Sequence, residues 1–159
     1  MTAGADSPKP GRQEPKTLNR AARRLLDGAN FAHLSTLQPD GAPKAEPVWV
    51  LREGDVIFIT TDAKSLKARN IAADPRVALS IVDYDNPYEQ LLVRGRVVET
   101  RGDPELAVLD AMARKYLAVD FPRRRWAQRL VFVIEANAVR SYRSPLIDPR
   151  THPHEEERP

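Results

Sequence analysis

Apolar residues recur at helical spacing in three short stretches of the chain and alternate or run together elsewhere, so short helices are expected among many strands. Leu18, Ala21, Ala22, Leu25 and Leu26 share one side of a helix over residues 17–27, with Arg20, Arg23 and Arg24 mostly opposite and Gly28 placed to end it. Residues 31–37 read as a strand, Gln38-Pro39-Asp40-Gly41 as a turn, and residues 44–51 as the returning strand. A second tight turn at Glu53-Gly54-Asp55 leads into a β-branched run over 56–61, which predicts three consecutive antiparallel strands.

A helix follows over 64–73 and stops at Asp74-Pro75, because a residue before proline is pushed out of the α region. Residues 77–82 form the next strand, 83–87 a loop, and 88–101 a long strand whose Gly95 marks a bulge or a close approach of another backbone. Asp103 reads as an N-cap with Pro104 at the first helical position, and Leu106, Leu109, Met112 or Ala113, and Tyr116 fall on one face of the third helix. The last strand, 129–142, has Val131 and Val133 on one face and Leu130, Phe132 and Ile134 on the other, the pattern of a strand buried on both sides. Tightly linked strands with only short helices predict a mainly β (α+β) domain, an antiparallel barrel rather than a parallel α/β sheet.

Composition narrows the picture. At 159 residues the chain is expected to be one domain over residues 17–143, between Pro- and charge-rich tails at 1–16 and 144–159 that cannot bury enough apolar surface to offset ordering. The absence of cysteine removes disulfides, thiolate nucleophiles and thiolate metal sites, and suits a reducing, cytoplasmic setting. No run of 18 apolar residues predicts a membrane span, and the first residues lack the apolar stretch of a signal peptide. The net charge of +3 is modest, with arginine concentrated at 20–24 and at Arg123-Arg124-Arg125. Of the three histidines, His152 and His154 lie in the tail and His33 in a strand, and no Ser/His/Asp or metal-ligand spacing occurs.

The strongest chemical signal is the passage from Thr60-Thr61 into Lys64-Ser65-Leu66-Lys67-Ala68-Arg69-Asn70. The first N–H groups of a helix lack intrahelical partners and sit at the positive end of its dipole, so an anion placed there collects hydrogen bonds and favourable electrostatics. Thr60, Thr61 and Ser65 add hydroxyl donors and Lys64 and Lys67 add ammonium groups, a set suited to phosphate. The alternative is a solvated basic face with Asp62 or Ser65 as a simple N-cap. Neither Gly-x-x-x-x-Gly-Lys nor Gly-x-Gly-x-x-Gly is present, so no P-loop or dinucleotide motif accounts for the cluster.

Five segments in order extend this reading: Leu34-Ser35-Thr36-Leu37-Gln38-Pro39-Asp40-Gly41-Ala42-Pro43; Pro47-Val48-Trp49-Val50; Ile59-Thr60-Thr61 with Lys67-Ala68-Arg69-Asn70-Ile71; Asp74-Pro75-Arg76-Val77-Ala78-Leu79-Ser80; and Val93-Arg94-Gly95-Arg96-Val97. Together they resemble the flavin and deazaflavin oxidoreductases related to pyridoxamine 5'-phosphate oxidase. The resemblance spans about residues 20–143. It implies an FMN-binding type of split β-barrel, with about six to seven antiparallel strands, forming a homodimer with two cofactor sites between protomers. The Lys-Ala-Arg-Asn-Ile run and the Arg-Gly-Arg strand are most similar to the branch that uses the deazaflavin coenzyme F420. Carried over by position, Thr60, Thr61, Ser65, Lys67 and Asn70 would hold the cofactor phosphate with Lys64 nearby, and Pro47, Val48 and Trp49 would line the ring system. Trp49 and Tyr88 are the aromatics expected nearest the ring or substrate.

What the resemblance implies is an F420-dependent oxidoreductase passing a hydride between the bound cofactor and a planar or conjugated small molecule, with FMN as the alternative cofactor. No catalytic side chain is expected, since the cofactor carries the hydride. Ala45-Glu46-Pro47-Val48 and Ser141-Tyr142-Arg143-Ser144 stand where the true oxidases carry an Arg-rich segment and an Arg-x-His type substrate motif, so a vitamin substrate is not implied. Arg123-Arg124-Arg125 could meet the polyglutamate tail of the deazaflavin or simply solvent, and Trp126 could pack at a dimer contact or over the site. A non-enzymatic cofactor carrier is the rival from another class. A nucleic-acid-binding barrel is disfavoured, because aromatics to interleave with the arginines make up only 6% of the chain.

Overall fold

The computed structural model describes residues 14–123 and 128–145. The elements run α1 (Arg20–Asp27), β1 (Ala32–Leu37), β2 (Pro43–Val48), β3 (Leu51–Glu53), β4 (Val56–Asp62), α2 (Leu66–Ala73), β5 (Arg76–Val82), β6 (Glu89–Gly102), α3 (Ala107–Leu117) and β7 (Arg129–Arg143). The strands form one sheet in the order β2-β1-β5-β6-β7-β4-β3, with every pairing antiparallel. The mainly β, antiparallel expectation is met.

The strand 129–142 lies where its two apolar faces place it, between β6 and β4. Phe132 and Ile134 enter a large core with Leu25, Leu34, Ile57 and Leu79, while Val131 and Val133 meet Phe58 and Met112 on the other side. Helix α1 covers the large core through Ala22, Leu25 and Leu26, and Asn19 caps its start by accepting the Ala22 N–H at 2.9 Å. Gly95 satisfies both expectations made of it. The register skips Asn137, pairing Arg94 with Ala138 but Gly95 with Ala136, and a Cβ on Gly95 would lie 2.3 Å from the Glu135 carbonyl oxygen.

The expected strand over 44–51 is instead two strands. β2 pairs with β1 and β3 with β4, so the chain visits opposite edges of the sheet within a few residues and the first three strands do not form one meander. The break falls at Trp49 and Val50, where α3 takes over from the ladder: the Tyr116 hydroxyl accepts the Val50 N–H at 3.2 Å and Lys115 Nζ donates to the Val50 carbonyl at 2.8 Å. Both backbone groups of a buried residue are thereby satisfied without a neighbouring strand. In a flat seven-stranded sheet the two edges would stand roughly 29 Å apart. Three Cα steps from Val48 to Leu51 reach only about 11 Å. The sheet must therefore curl until its edges approach each other.

Helix boundaries also moved. Helix α2 begins at Leu66 because Ser65 is its N-cap, accepting the Ala68 N–H at 3.2 Å. Helix α3 begins at Ala107 rather than beside Pro104, after a turn that places Leu106 at φ 60°. Asp103 caps it nonetheless, accepting the Val108 and Leu109 N–H groups at 3.3 and 3.0 Å. No described helix is long and apolar enough to cross a membrane.

Candidate cofactor site

Side chains alternate along β4, and this divides the two threonines that precede α2. Thr61 turns toward the helix and donates to Ser65 Oγ at 3.1 Å, whereas the Thr60 hydroxyl lies on the opposite face, 3.7 Å from Met112 Sδ. One turn into α2, Asn70 is 1% exposed and donates from Nδ2 to Thr36 Oγ1 of β1 at 3.0 Å. Two uncharged polar pairs are thus fixed in a buried setting, where each leaves hydroxyl lone pairs for a further donor or a hydroxyl proton for an acceptor.

The charged part of the site lies on the neighbouring strand. Lys44 and Glu46 are two residues apart on β2 and point the same way, and Lys44 stands opposite Thr36 in the β1–β2 register. Lys67 Nζ lies 3.0 Å from Glu46 Oε2, and Lys44 Nζ lies 2.6 Å from Glu46 Oε1. Burial pushes the Glu46 carboxyl up, but the Lys44 and Lys67 ammonium groups together hold it below the usual carboxylate range. Thr36, Thr61, Ser65, Lys67 and Asn70 therefore converge with Lys44 and Glu46 around the start of α2. Lys64 is exposed, and its backbone N–H donates to Asp62 Oδ1 at 2.7 Å.

The expected ring-lining segment occupies the end of β2 and the link to β3. Pro47 is exposed, Val48 packs against the large core, and Trp49 stacks on Tyr116 with ring centroids 5.1 Å apart and planes 5° from parallel. Phe31 also meets Tyr116, with ring centroids 5.6 Å apart and planes tilted by 41°. The Tyr116 hydroxyl donates to the Asn30 carbonyl at 2.7 Å as it accepts from Val50, so its ring has little freedom to move. Lys115 donates to the carbonyls of Leu26 and Val50, and its ammonium lies 4.8 Å from the Tyr116 ring centroid. Burial lowers the Lys115 pKa to about 8 despite the favourable field of Asp27. Tyr88, 43% exposed, belongs to the β5–β6 loop, at the end of the sheet where Val48, Ala32 and Ile81 stand side by side in the register.

Outside the curl, a groove of about 700 Å³ runs past Thr36, Arg76, Arg94 and Arg96. It shares Ser35, Ala78 and Arg94 with a second groove of about 400 Å³ that continues to Leu92, Ala138 and Arg140. Arg76 is paired with Asp74 at 2.6 Å. His33 is exposed on β1, and no group of metal-ligating side chains occurs among the described residues. Arg124, Arg125 and Trp126 lie outside the described residues, while Arg123 is exposed.

Lys44, Glu46, Thr36 and Tyr116 are the site residues that sequence reasoning did not single out. The alternation Lys44-x-Glu46 was a usable signal that both charges share a face. The pairings Thr36–Asn70 and Val50–Tyr116 join residues 34 and 66 positions apart and leave no local trace.

Residues 18–143 match the model of the family described as pyridoxamine 5'-phosphate oxidase. A solved structure named F420 Reductase is 33% identical, covering 77% of this chain and 98% of its own, with a TM-score of 0.69. A conserved hypothetical protein from Mycobacterium tuberculosis is 23% identical over 83% of this chain and 89% of its own, with a TM-score of 0.64. General Stress Protein 26 from Bacillus anthracis is 17% identical over 77% and 91%, with a TM-score of 0.60. The last two likenesses show the fold alone. No curated protein matches the sequence.

Proposed function

This chain belongs to the pyridoxamine 5'-phosphate oxidase family, and we propose that within it the protein is an F420-dependent oxidoreductase acting on a planar or conjugated small molecule. The observation that carries the choice of cofactor is the 33% identity, across nearly the whole of its length, to the protein named F420 Reductase. The geometry supports a ribityl-linked cofactor of this kind. From Glu46, beside the cluster at the start of α2, to Trp49 is three residues, about 10 Å along extended chain. A five-carbon chain bearing a phosphate spans a comparable distance between ring and anion.

When bound, the deazaflavin supplies the hydride-carrying ring. Lys67 and Ser65 hold the phosphate by charge-assisted and hydroxyl hydrogen bonds, with Thr61 and Asn70 fixing the Ser65 and Thr36 hydroxyls behind them. Pro47, Val48 and Trp49, at the end of β2 and in the link that follows, are the residues that would line the ring system. The Trp49 ring is held in position by Tyr116, so this part of the lining is ordered before the cofactor arrives. Apolar cover on this side also excludes water from the reacting face.

The assembly proposed is a split β-barrel homodimer. The curl of the sheet supports the barrel, and the outer face around Leu92, 41% exposed and flanked by Ala78, Ser80 and Ala138, supports the pairing of two copies. A reducing, cytoplasmic setting suits the cysteine-free chain.

Fluorescence titration of the purified protein with F420 and, separately, with FMN tests the reading. Saturable F420 binding tighter than FMN binding, and, in a separate assay with cofactor chemically reduced beforehand, reoxidation of the reduced F420 as members of a panel of conjugated acceptors take up its hydride, is the expected result. Tighter binding of FMN would assign the same fold to a flavin enzyme. Binding without turnover of any acceptor would favour a cofactor carrier.

A further inference from the structure

Placing the cofactor phosphate at Lys67 leaves Glu46 without a role, yet its carboxylate is the group Lys67 touches. Glu46 bridges Lys67 at 3.0 Å and Lys44 at 2.6 Å, and the three side chains are 27%, 14% and 29% exposed respectively. Held below the usual carboxylate range by its two neighbours, Glu46 is ionised at neutral pH. Two ammonium groups and one carboxylate leave a single unit of positive charge to meet an incoming anion.

The two cofactors differ in just this respect. FMN ends in a phosphate monoester, which carries about −1.5 to −2 at pH 7. In F420 the phosphate joins the ribityl chain to the tail, so it is a diester with one negative charge. We infer that Glu46 is a specificity-determining residue that lowers the charge of the phosphate site toward that of a singly charged phosphodiester and so reduces the electrostatic advantage a phosphate monoester would otherwise have. The inference rests on the proposed position of the phosphate. A monoester there would bring an additional negative charge toward a fixed carboxylate in a partly buried site, where screening is weaker than in bulk water.

The test uses binding of F420 and FMN to the wild type and to three variants. Glu46→Gln raises the charge of the site by one, and the Coulomb gain scales with ligand charge. Both ligands are expected to bind more tightly, F420 by about threefold and FMN by about fivefold to tenfold. Lys44→Met lowers the charge by one and reverses the sign of both effects, with FMN again changing more and losing more affinity than F420. β2 is an edge strand and Glu46 and Lys44 are partly exposed, so neither change removes a core contact.

If Glu46→Gln shifts both ligands equally or weakens them, or Lys44→Met costs F420 as much as FMN, while Lys67→Ala still weakens both, the inference is overturned and the phosphate position stands. If Lys67→Ala leaves both affinities unchanged, the phosphate position fails and the inference fails with it.

Discussion

Lys67 commits one of its three ammonium protons to Glu46 and sits on the first turn of a helix whose N-cap is supplied by Ser65. Its removal should therefore cost binding far more than folding. Lys67→Ala is expected to weaken cofactor binding by about 1.5–3 kcal/mol, the range for a hydrogen bond to a charged group, with little change in the urea midpoint. Lys115 makes a different prediction, because its partners are backbone carbonyls of the β2–β3 link and of α1. Its folded pKa of about 8 lies below that of the unfolded chain, near 10.4. Between these values the unfolded state binds more protons, so this group adds stability as pH rises through the window. Urea denaturation should show the wild type gaining on Lys115→Met between pH 8 and about 10.4. A constant difference between the two proteins would place the Lys115 ammonium in water. Thr61, Ser65, Lys67 and Asn70 were picked out by type and spacing, although Thr60, grouped with them, lies on the other face of β4; Lys115 and Tyr116 looked like ordinary members of a helix face. Their roles depend on what α3 packs against.

Among the elements, β6 and β7 show how a single residue can set geometry over a long span. Gly95 admits the Glu135 carbonyl to the space a side chain would fill, next to the bulge at Asn137. Gly95→Ala is expected to destabilise the protein by about 2–3 kcal/mol, the cost of overpacking against backbone that cannot move aside. Thermal or urea unfolding would measure it, and a change under about 0.5 kcal/mol would mean that the two strands separate easily at this point. This glycine was readable in advance because it interrupted an otherwise regular alternation. So was the central position of β7, whose consecutive apolar residues suit no half-exposed strand. The division of residues 44–51 was not readable. Nothing in Trp49-Val50 itself breaks a strand, and the groups that satisfy Val50 come from α3, more than sixty residues later.

For the molecule as a whole, the short link from Val48 to Leu51 carries the chain from β2 at one edge of the sheet to β3 at the other, and β2 separates the proposed phosphate cluster from the stacked aromatics by only a few residues. The outer face around Leu92 is proposed to join two copies. Leu92→Asp should raise the dimer dissociation constant by about a hundredfold or more, read by sedimentation at micromolar concentration. A wild-type protein that sediments as a monomer at high concentration would remove the dimer from the account. The family was accessible from sequence, through motifs that recur in the right succession, whereas the order of strands in the sheet was not, because the expected meander of the first three strands gives way to β2 and β3 at opposite edges. The charge balance at Glu46 was not, because it needed β2 and α2 to be placed against each other.

The most direct measurement is a crystal structure of the protein grown with excess F420. The account predicts the phosphodiester within hydrogen-bonding distance of Lys67 Nζ and Ser65 Oγ, with the deazaflavin ring along Pro47, Val48 and Trp49. A cofactor bound with its phosphate elsewhere, or a Lys67–Glu46 pair left unvisited by any anion at saturating F420, would contradict it.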